Sequence, residues 1–208
     1  MTDSLADCTF APAMNTPNKL TLLRILLSPI FVALFLYENF YSRLAALFVF
    51  LIAAATDIAD GYYARKYGII TGFGKFIDPL ADKVLVSSAF ISFVALGYAQ
   101  VWMVAVIIGR EFLITGLRSL AAYRGTVISP TYWAKVKTAL QMSSVGAILL
   151  FINLESVYEY LGEPFSDETR ATALLSFDYL LGVTAVVTAL TGVDYLVRYY
   201  SILKSALK

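Results

Sequence analysis

The sequence predicts an all-α integral membrane protein with six transmembrane helices and a short N-terminal interfacial segment. Hydrophobic residues make up 59% of the 208 residues and charged residues only 15%, against roughly 25% charged residues in an ordinary soluble domain. A soluble domain of this length could not bury so much apolar surface in one core, so a bilayer is the expected solvent. The apolar segments also lack the polar–apolar alternation of a transmembrane barrel.

Six segments approach the length of about 20 residues that a helix needs to cross the hydrocarbon core. They are residues 20–37, 44–65, 78–99, 101–122, 134–154 and 171–198. The first segment contains Pro29, which predicts a kink or an interfacial first turn. The last segment is long enough to project beyond the membrane. Residues 1–17 are small and polar and are expected to form a weakly ordered leader, which precedes a single six-helix domain over residues 18–208.

The leader followed by the first apolar segment could also be a signal peptide. A signal peptide begins with basic residues and ends in a small-residue cleavage site. Here Asp3 and Asp7 precede any lysine, and no such site follows Tyr37. The first segment is therefore expected to remain as a transmembrane helix.

The distribution of basic residues predicts the orientation in the membrane. With six crossings, both termini lie on one side, and all of the 16 Lys and Arg residues except Arg43 and Arg170 fall toward that side. The positive-inside rule makes this side cytoplasmic. The opposite loop, residues 155–170, is rich in Asp and Glu and is expected to be a solvated surface.

Two absences in the composition exclude several kinds of chemistry. The sequence has no histidine and a single cysteine, Cys8. Imidazole metal sites, thiolate metal sites and Ser–His or Cys–His nucleophiles are therefore excluded. The composition also argues against a nucleic-acid binder. Any chemistry must use carboxylates, amines, guanidinium groups or hydroxyls.

Four aspartates form the most informative pattern in the chain. Asp57 and Asp60 are three residues apart near the end of the second segment, and Asp78 and Asp82 are four residues apart at the start of the third. Both spacings place two carboxylates on one helix face. Glycines between the pairs allow the two helices to return as neighbours, so the four carboxylates can converge.

Four carboxylates in one pocket repel each other unless cations compensate for their charge. Two divalent ions carry four positive charges, and oxygen ligands without His or Cys favour Mg²⁺, Mn²⁺ or Ca²⁺. A paired-metal site suits displacement at phosphorus. The alternative is a structural network in which the aspartates pair with neighbouring cations. Those cations are Arg65, Lys66, Lys75 and Lys83.

The aspartates belong to a longer pattern with eight fixed positions over 26 residues. The pattern is Asp57-x₂-Asp60-Gly61-x₂-Ala64-Arg65-x₈-Gly74-x₃-Asp78-x₃-Asp82. It resembles, without departure, the signature of the CDP-alcohol phosphotransferases, a family with six transmembrane helices. The resemblance implies transfer of a substituted phosphate group from a CDP-linked donor to an alcohol, with release of CMP. It also implies a homodimer.

The resemblance assigns roles to the residues of the signature. The four aspartates would hold two divalent cations, Mg²⁺ or Mn²⁺, and Asp82 would also be the general base for the acceptor hydroxyl. A further set would line the CDP site: Asn18, Thr21, Asp60, Gly61, Arg65, Thr71 and Gly74. The chemistry of Arg65 agrees with this role, because a guanidinium offers a forked set of donors to a pyrophosphate.

A second basic group predicts an acceptor that carries a phosphate. Arg110 and Arg118 are eight residues apart in the fourth segment, which places them on similar faces, and Lys135 and Lys137 begin the fifth. Together they could bind a phosphate monoester beside the metal site. Alternatively, Arg110 forms an internal ion pair with Glu111, and the two lysines are positive-inside anchors.

Three further stretches, residues 15–24, 109–118 and 135–142, resemble the bacterial members of the family that use CDP-diacylglycerol and sn-glycerol 3-phosphate. This resemblance implies an enzyme in the bacterial cytoplasmic membrane with its active site on the cytoplasmic side. Other members use inositol phosphate, serine or phosphatidylglycerol as the acceptor. Two other classes fit less well: a cation-coupled transporter would have its carboxylates near the midplane, and a structural scaffold would not need the Asp–Gly–Arg spacing.

Overall fold

A computed structural model describes the backbone of residues 16–67, 74–123 and 132–206, and side chains within residues 22–56, 83–122 and 132–199. This part of the chain is all-helical and has six α-helices. They are α1 (Thr16–Leu36), α2 (Phe40–Tyr67), α3 (Gly74–Ala95), α4 (Val101–Tyr123), α5 (Tyr132–Leu161) and α6 (Asp167–Ala206). The predicted leader lies outside the described residues except for Thr16 and Pro17, which begin α1.

Aromatic side chains join the first three helices, because α1 packs against both α2 and α3. Phe31 stacks on Phe35 with ring centroids 5.3 Å apart, and Phe31 also lies 5.6 Å from Phe50 of α2. Phe35 makes an edge contact with Phe93 of α3 at 5.8 Å. These four rings are buried in the middle of the bundle. Pro29 lies within α1, which continues to Leu36.

The other three helices are α4, α5 and α6. Among them, α6 packs against both α4 and α5. The main core continues through Ile107, Ile148, Ile152 and Leu181, all of them buried. A smaller apolar cluster joins α4 to α6 through Ile114, Ala121 and Tyr195. The helices thus share one continuous core.

Several predicted helix ends differ from those of the structure, and at two of them a glycine explains the real end. α3 ends at Ala95 rather than at residue 99, because Gly97 adopts a φ of +78°. The amide of Tyr98 then donates to the carbonyl of Phe93 at 2.8 Å and satisfies one of the last helix carbonyls. α5 continues to Leu161, beyond residue 154, and Gly162 with a φ of +73° ends it.

The longer α5 corrects the prediction of a solvated acidic loop over residues 155–170. Glu155 and Glu159 belong to the last two turns of α5, and α6 begins at Asp167. Glu155 is buried rather than solvated. It accepts a hydrogen bond from the hydroxyl of Tyr98. It also forms an ion pair with Arg170, whose Nε lies 3.3 Å from Glu155 Oε1. These partners satisfy a carboxylate that would otherwise be costly to bury.

The outer surface of the bundle is strongly apolar. Leu51, Ile52, Val186 and Val197 are all more than half exposed, and extensive exposed apolar surface marks contact with another apolar phase. Two helical stretches are long and apolar enough to cross a membrane, Tyr132–Leu161 and Asp167–Val197. Three shorter apolar helical stretches accompany them, at Leu22–Leu36, Phe40–Thr56 and Lys83–Ala95.

Candidate active site

The predicted metal and CDP residues lie on helices that meet at one end of the bundle. Asp57, Asp60, Gly61 and Arg65 belong to the last three turns of α2, and Gly74 begins α3, which also carries Asp78 and Asp82. Asn18 and Thr21 belong to the start of α1. The side chains of these residues lie outside the described set, as does Thr71 altogether, so their predicted roles stay predictions.

A cavity of about 410 Å³ opens beside the end of the signature. It lies between the beginning of α3, the second half of α4 and the beginning of α5. All four predicted acceptor residues line it, namely Arg110, Arg118, Lys135 and Lys137. Lys83 lines it as well, and this lysine directly follows Asp82 in the chain. The cavity therefore reaches the residue that directly follows the signature in the chain.

The carboxylate of Glu111 lies among three of the cations that line the cavity. Lys83 Nζ lies 3.1 Å from Glu111 Oε2, and Arg110 Nη1 lies 3.2 Å from Glu111 Oε1. Lys137 Nζ also donates to Glu111 Oε1. Because Glu111 is only 6% exposed, this negative charge makes it possible to hold three cations close together in a site of low dielectric constant.

The described residues that line the cavity are strongly positive despite Glu111. Five of them carry a positive charge and one a negative charge. Side-chain hydroxyls add neutral donors, since Thr115 and Thr138 also line the cavity. A small anion with several oxygens is the ligand that this combination suits best.

The sequence left two alternatives open for these cations: an ion pair between Arg110 and Glu111, and membrane anchoring by Lys135 and Lys137. Arg110 does form the ion pair with Glu111, and it lines the cavity at the same time. Lys137 is only 2% exposed, which does not fit a headgroup anchor that must reach the membrane surface. Lys135 is exposed and lines the cavity, so an anchoring role remains compatible with its position.

Sequence reasoning assigned no acceptor role to Lys83, Glu111, Thr115 or Thr138. Glu111, Thr115 and Arg118 recur at intervals of four and three residues along α4, and this helical spacing could have indicated a polar face. Lys83 gave no such signal, because its ion-pair partner Glu111 belongs to another helix and is distant in the sequence.

The described side chains include no group of three or more acidic, His or Cys residues that could hold a metal ion. The four aspartates of the signature fall outside that set. Their chemistry fits a hard divalent cation, since all four supply carboxylate oxygens. Their positions fit as well, because the pairs belong to the end of α2 and the beginning of α3.

Comparison with known proteins identifies the family. The sequence pattern of the CDP-alcohol phosphatidyltransferases matches residues 14–190, which is most of the chain. The chain belongs to this family. The match includes the whole signature and every cation that lines the cavity. Membership makes the chain a transferase of phospholipid biosynthesis and agrees with its apolar surface.

Several curated relatives within the family carry names that specify a reaction. The chain is 41% identical over 204 residues to a CDP-diacylglycerol–glycerol-3-phosphate 3-phosphatidyltransferase of Bacillus subtilis (strain 168), covering 92% of this chain and 98% of the relative. It is 35% identical over 187 residues to a probable phosphatidylglycerophosphate synthase of Mycobacterium tuberculosis (strain CDC 1551 / Oshkosh), covering 88% and 81% respectively. A Pseudomonas fluorescens protein with the same name as the first is 44% identical over 143 residues, which cover 65% of this chain and 72% of that protein.

Proposed function

We propose that this chain transfers the phosphatidyl group of CDP-diacylglycerol to sn-glycerol 3-phosphate, giving phosphatidylglycerol phosphate and CMP. It would thus act as a phosphatidylglycerophosphate synthase. The observation that carries the proposal is the cavity lined by five cations, one of which, Lys83, directly follows Asp82 in the chain. The names of the relatives support the same donor and acceptor.

The cavity provides what the phosphate of the acceptor needs. A phosphate monoester carries between one and two negative charges near neutral pH and has three strong acceptor oxygens. Arg110 and Arg118 offer forked donor sets, while Lys135 and Lys137 offer point charges. Bound there by its phosphate, glycerol 3-phosphate would have its free hydroxyls near the aspartates, because Lys83 and Asp82 are consecutive.

The four aspartates would hold two divalent cations, Mg²⁺ or Mn²⁺. Such ions supply charge neutralisation at the pyrophosphate and stabilise the departing CMP. The carboxylates of Asp57, Asp60, Asp78 and Asp82 would fix the ions in place. Arg65 would hold the pyrophosphate of the donor, and Gly61 and Gly74 would permit close approach of the backbone to the nucleotide. Asn18, Thr21 and Thr71 would complete this CDP site.

Asp82 would act as the general base. Its carboxylate takes the proton of the acceptor hydroxyl, and the hydroxyl oxygen attacks the β-phosphorus of CDP-diacylglycerol. The new phosphorus–oxygen bond forms as the bond to CMP breaks, and the electron pair leaves with CMP. The basic cavity contributes to the rate by fixing the acceptor near this base, which converts a bimolecular encounter into a positioned reaction.

The membrane placement follows from the same arrangement. We propose that all six helices cross the bacterial cytoplasmic membrane, with both termini and the active site on the cytoplasmic side. The cavity and the signature lie at the end of the bundle where the basic residues collect, in agreement with the positive-inside rule. The acyl chains of the donor would enter between helices from the inner leaflet. The homodimer implied by the resemblance is kept as part of this proposal.

A labelled-acceptor assay tests the proposed reaction. Purified protein in mixed micelles would receive CDP-diacylglycerol, Mg²⁺ and one of four acceptors: glycerol 3-phosphate, inositol phosphate, serine or phosphatidylglycerol. We expect labelled lipid and an equal amount of CMP with glycerol 3-phosphate alone, and neither product with Asp82→Asn. Transfer only to another acceptor would refute the proposed substrate, and full CMP release by Asp82→Asn would refute the role of the base.

A further inference from the structure

The side chain of Arg110 lies against a glycine of the neighbouring helix. A Cβ atom placed on Gly192 of α6 would lie 3.0 Å from Arg110 Cγ, 3.8 Å from Nε and 4.0 Å from Cδ. A separation of 3.0 Å is well inside ordinary van der Waals contact, which begins near 3.5 Å. The arginine stem therefore occupies space that any residue other than glycine would fill.

The other glycines with described surroundings differ from Gly192. Gly182 lies ten residues earlier on α6, and a Cβ atom there would make only an ordinary contact of 3.8 Å with Met103 Cε. A Cβ atom on Gly109 or Gly116 of α4, or on Gly146 of α5, would have no neighbour within 4 Å. Of the glycines that can be compared, Gly192 alone is placed against a charged side chain.

The residue before this glycine holds the head of the same arginine. Arg110 Nη2 donates a long hydrogen bond of 3.4 Å to Thr191 Oγ1. The hydroxyl of Thr191 donates its own proton to the carbonyl of Thr188 at 2.9 Å, so its oxygen presents a lone pair to the guanidinium. On the other side, Arg110 Nη1 donates to Glu111. The guanidinium is thus fixed from two helices.

We propose that Gly192 and Thr191 are positioning residues that hold Arg110 in the orientation in which it binds the phosphate of the acceptor. Gly192 supplies the space for the stem, and Thr191 supplies an acceptor for one end of the guanidinium. The proposal rests on the proposed function, since it assumes that Arg110 meets the acceptor. It makes α6 a determinant of acceptor affinity, although Gly192 and Thr191 do not line the cavity.

The Gly192→Ala variant tests the proposal. Added bulk at this position displaces Arg110, and weakening one charge-assisted hydrogen bond to the phosphate corresponds to a rise in KM for glycerol 3-phosphate of roughly three- to tenfold. The KM for CDP-diacylglycerol should not change. Gly182→Ala is the matched control on the same helix, and both of its KM values should equal those of the wild type.

Thr191 gives a second pair of variants, neither of which adds bulk between the helices. Thr191→Val removes the oxygen that accepts from Arg110 and should raise the KM for glycerol 3-phosphate in the same direction. Thr191→Ser keeps the hydroxyl and should restore a KM close to that of the wild type. This pair decides the question if Gly192→Ala fails to fold.

A double-variant cycle separates positioning from simple helix packing. In an Arg110→Ala background, adding Gly192→Ala should raise the acceptor KM no further, because there is no arginine left to displace. Additive effects, an equal rise in both KM values, or an unchanged acceptor KM in both Gly192→Ala and Thr191→Val would overturn the inference. A wild-type protein without activity toward glycerol 3-phosphate would instead refute the proposed function.

Discussion

Glu111 is the residue on which the geometry of the candidate acceptor site depends most. A carboxylate in a site for an anion is unfavourable for binding, yet three cations from three helices converge on it. Without it, the buried charge of Lys137 and the partly buried charges of Lys83 and Arg110 would repel each other at short range. Glu111 therefore keeps the site assembled before a ligand arrives.

Glu111→Gln should destabilise the protein strongly. The amide keeps the size of the side chain but removes the negative charge on which three cations converge, and breaking a buried ion pair costs roughly 3–5 kcal/mol. We expect a lower midpoint of thermal unfolding in detergent. Glycerol 3-phosphate should raise this midpoint more in the variant than in the wild type, since its phosphate replaces the missing charge.

The matched control is Glu159→Gln. The side chain of Glu159 is 74% exposed and lies 3.9 Å from Arg43, so its loss should change stability by less than about 1 kcal/mol. Equal unfolding midpoints for the two variants would show that Glu111 does not hold the cations together.

Local spacing was sufficient to select Arg110, Arg118, Lys135 and Lys137 as one group, because the two pairs end one segment and begin the next. It could not show that Lys83 joins them or that Glu111 lies between them. Those contacts depend on how α3, α4 and α5 pack, and single-residue spacing carries no information about packing between distant helices. The alternative of an ion pair between Arg110 and Glu111 is present in the structure, and Arg110 lines the cavity as well.

At the scale of the helices, the end of the bundle opposite the cavity is held by a small polar network. Tyr98 lies in the turn between α3 and α4, Glu155 in α5 and Arg170 in α6, and the three side chains contact one another through Glu155. Burial raises the pKa of Tyr98 to about 12, and the hydrogen bond and negative charge of Glu155 add to the rise. The network joins three separate helix ends.

Tyr98→Phe should lower the free energy of unfolding by about 1–2 kcal/mol near pH 8, because it removes a buried hydrogen bond to a charged group. The pKa of Tyr98 is raised from 10 to about 12 on folding, so the hydroxyl stabilises the fold fully below pH 10. This contribution is lost as the pH rises toward about 12. The difference between wild type and variant should therefore narrow over that range.

Thermal unfolding in detergent between pH 8 and pH 12 measures this difference. Tyr179→Phe is the control, since Tyr179 is 77% exposed on α6 and should behave like the wild type throughout. A constant difference between wild type and Tyr98→Phe across the range would contradict the assignment.

The number of helices and their order were predictable from hydropathy, and five of the twelve boundaries fall within two residues of the predicted ones. The end of the third segment was placed too late and the end of the fifth too early, because apolar residues continue beyond the one helix and polar residues continue the other. Hydropathy detects solvent preference, whereas the real ends depend on the left-handed conformation of Gly97 and Gly162. The prediction missed the burial of Glu155 for the same reason, because an acidic residue near a predicted helix end indicates a loop.

At the scale of the whole molecule, two polar ends are separated by an apolar middle. The cavity and its cations occupy one end. The other end holds Arg170 and Arg43, the two basic residues that depart from the predicted distribution of positive charge. Arg170 pairs with Glu155. Arg43 donates to Ser156 Oγ at 2.8 Å and lies near Glu159. The buried phenylalanines of α1, α2 and α3 lie between these ends. This division agrees with a protein that spans the membrane.

Cysteine labelling tests the proposed orientation. Since Cys8 is the only cysteine, Cys8→Ser provides a background for single replacements. Gln100→Cys lies in the turn between α3 and α4, and Tyr132→Cys begins α5, where Tyr132 is 75% exposed. In intact bacteria, a membrane-impermeant maleimide should label Gln100→Cys alone, and permeabilised cells should show labelling of both. Labelling of Tyr132→Cys in intact cells would contradict the orientation.

The most direct test of the account is the effect of Arg118→Ala on the two substrates. Arg118 lines the basic cavity, so losing its bonds to a phosphate should raise the KM for glycerol 3-phosphate by roughly tenfold or more. The KM for CDP-diacylglycerol should stay unchanged. Arg170→Gln, which removes a cation from the opposite end, should leave both values as in the wild type. An equal rise in both KM values for Arg118→Ala, or a rise for the donor alone, would contradict the claim that this cavity binds the acceptor.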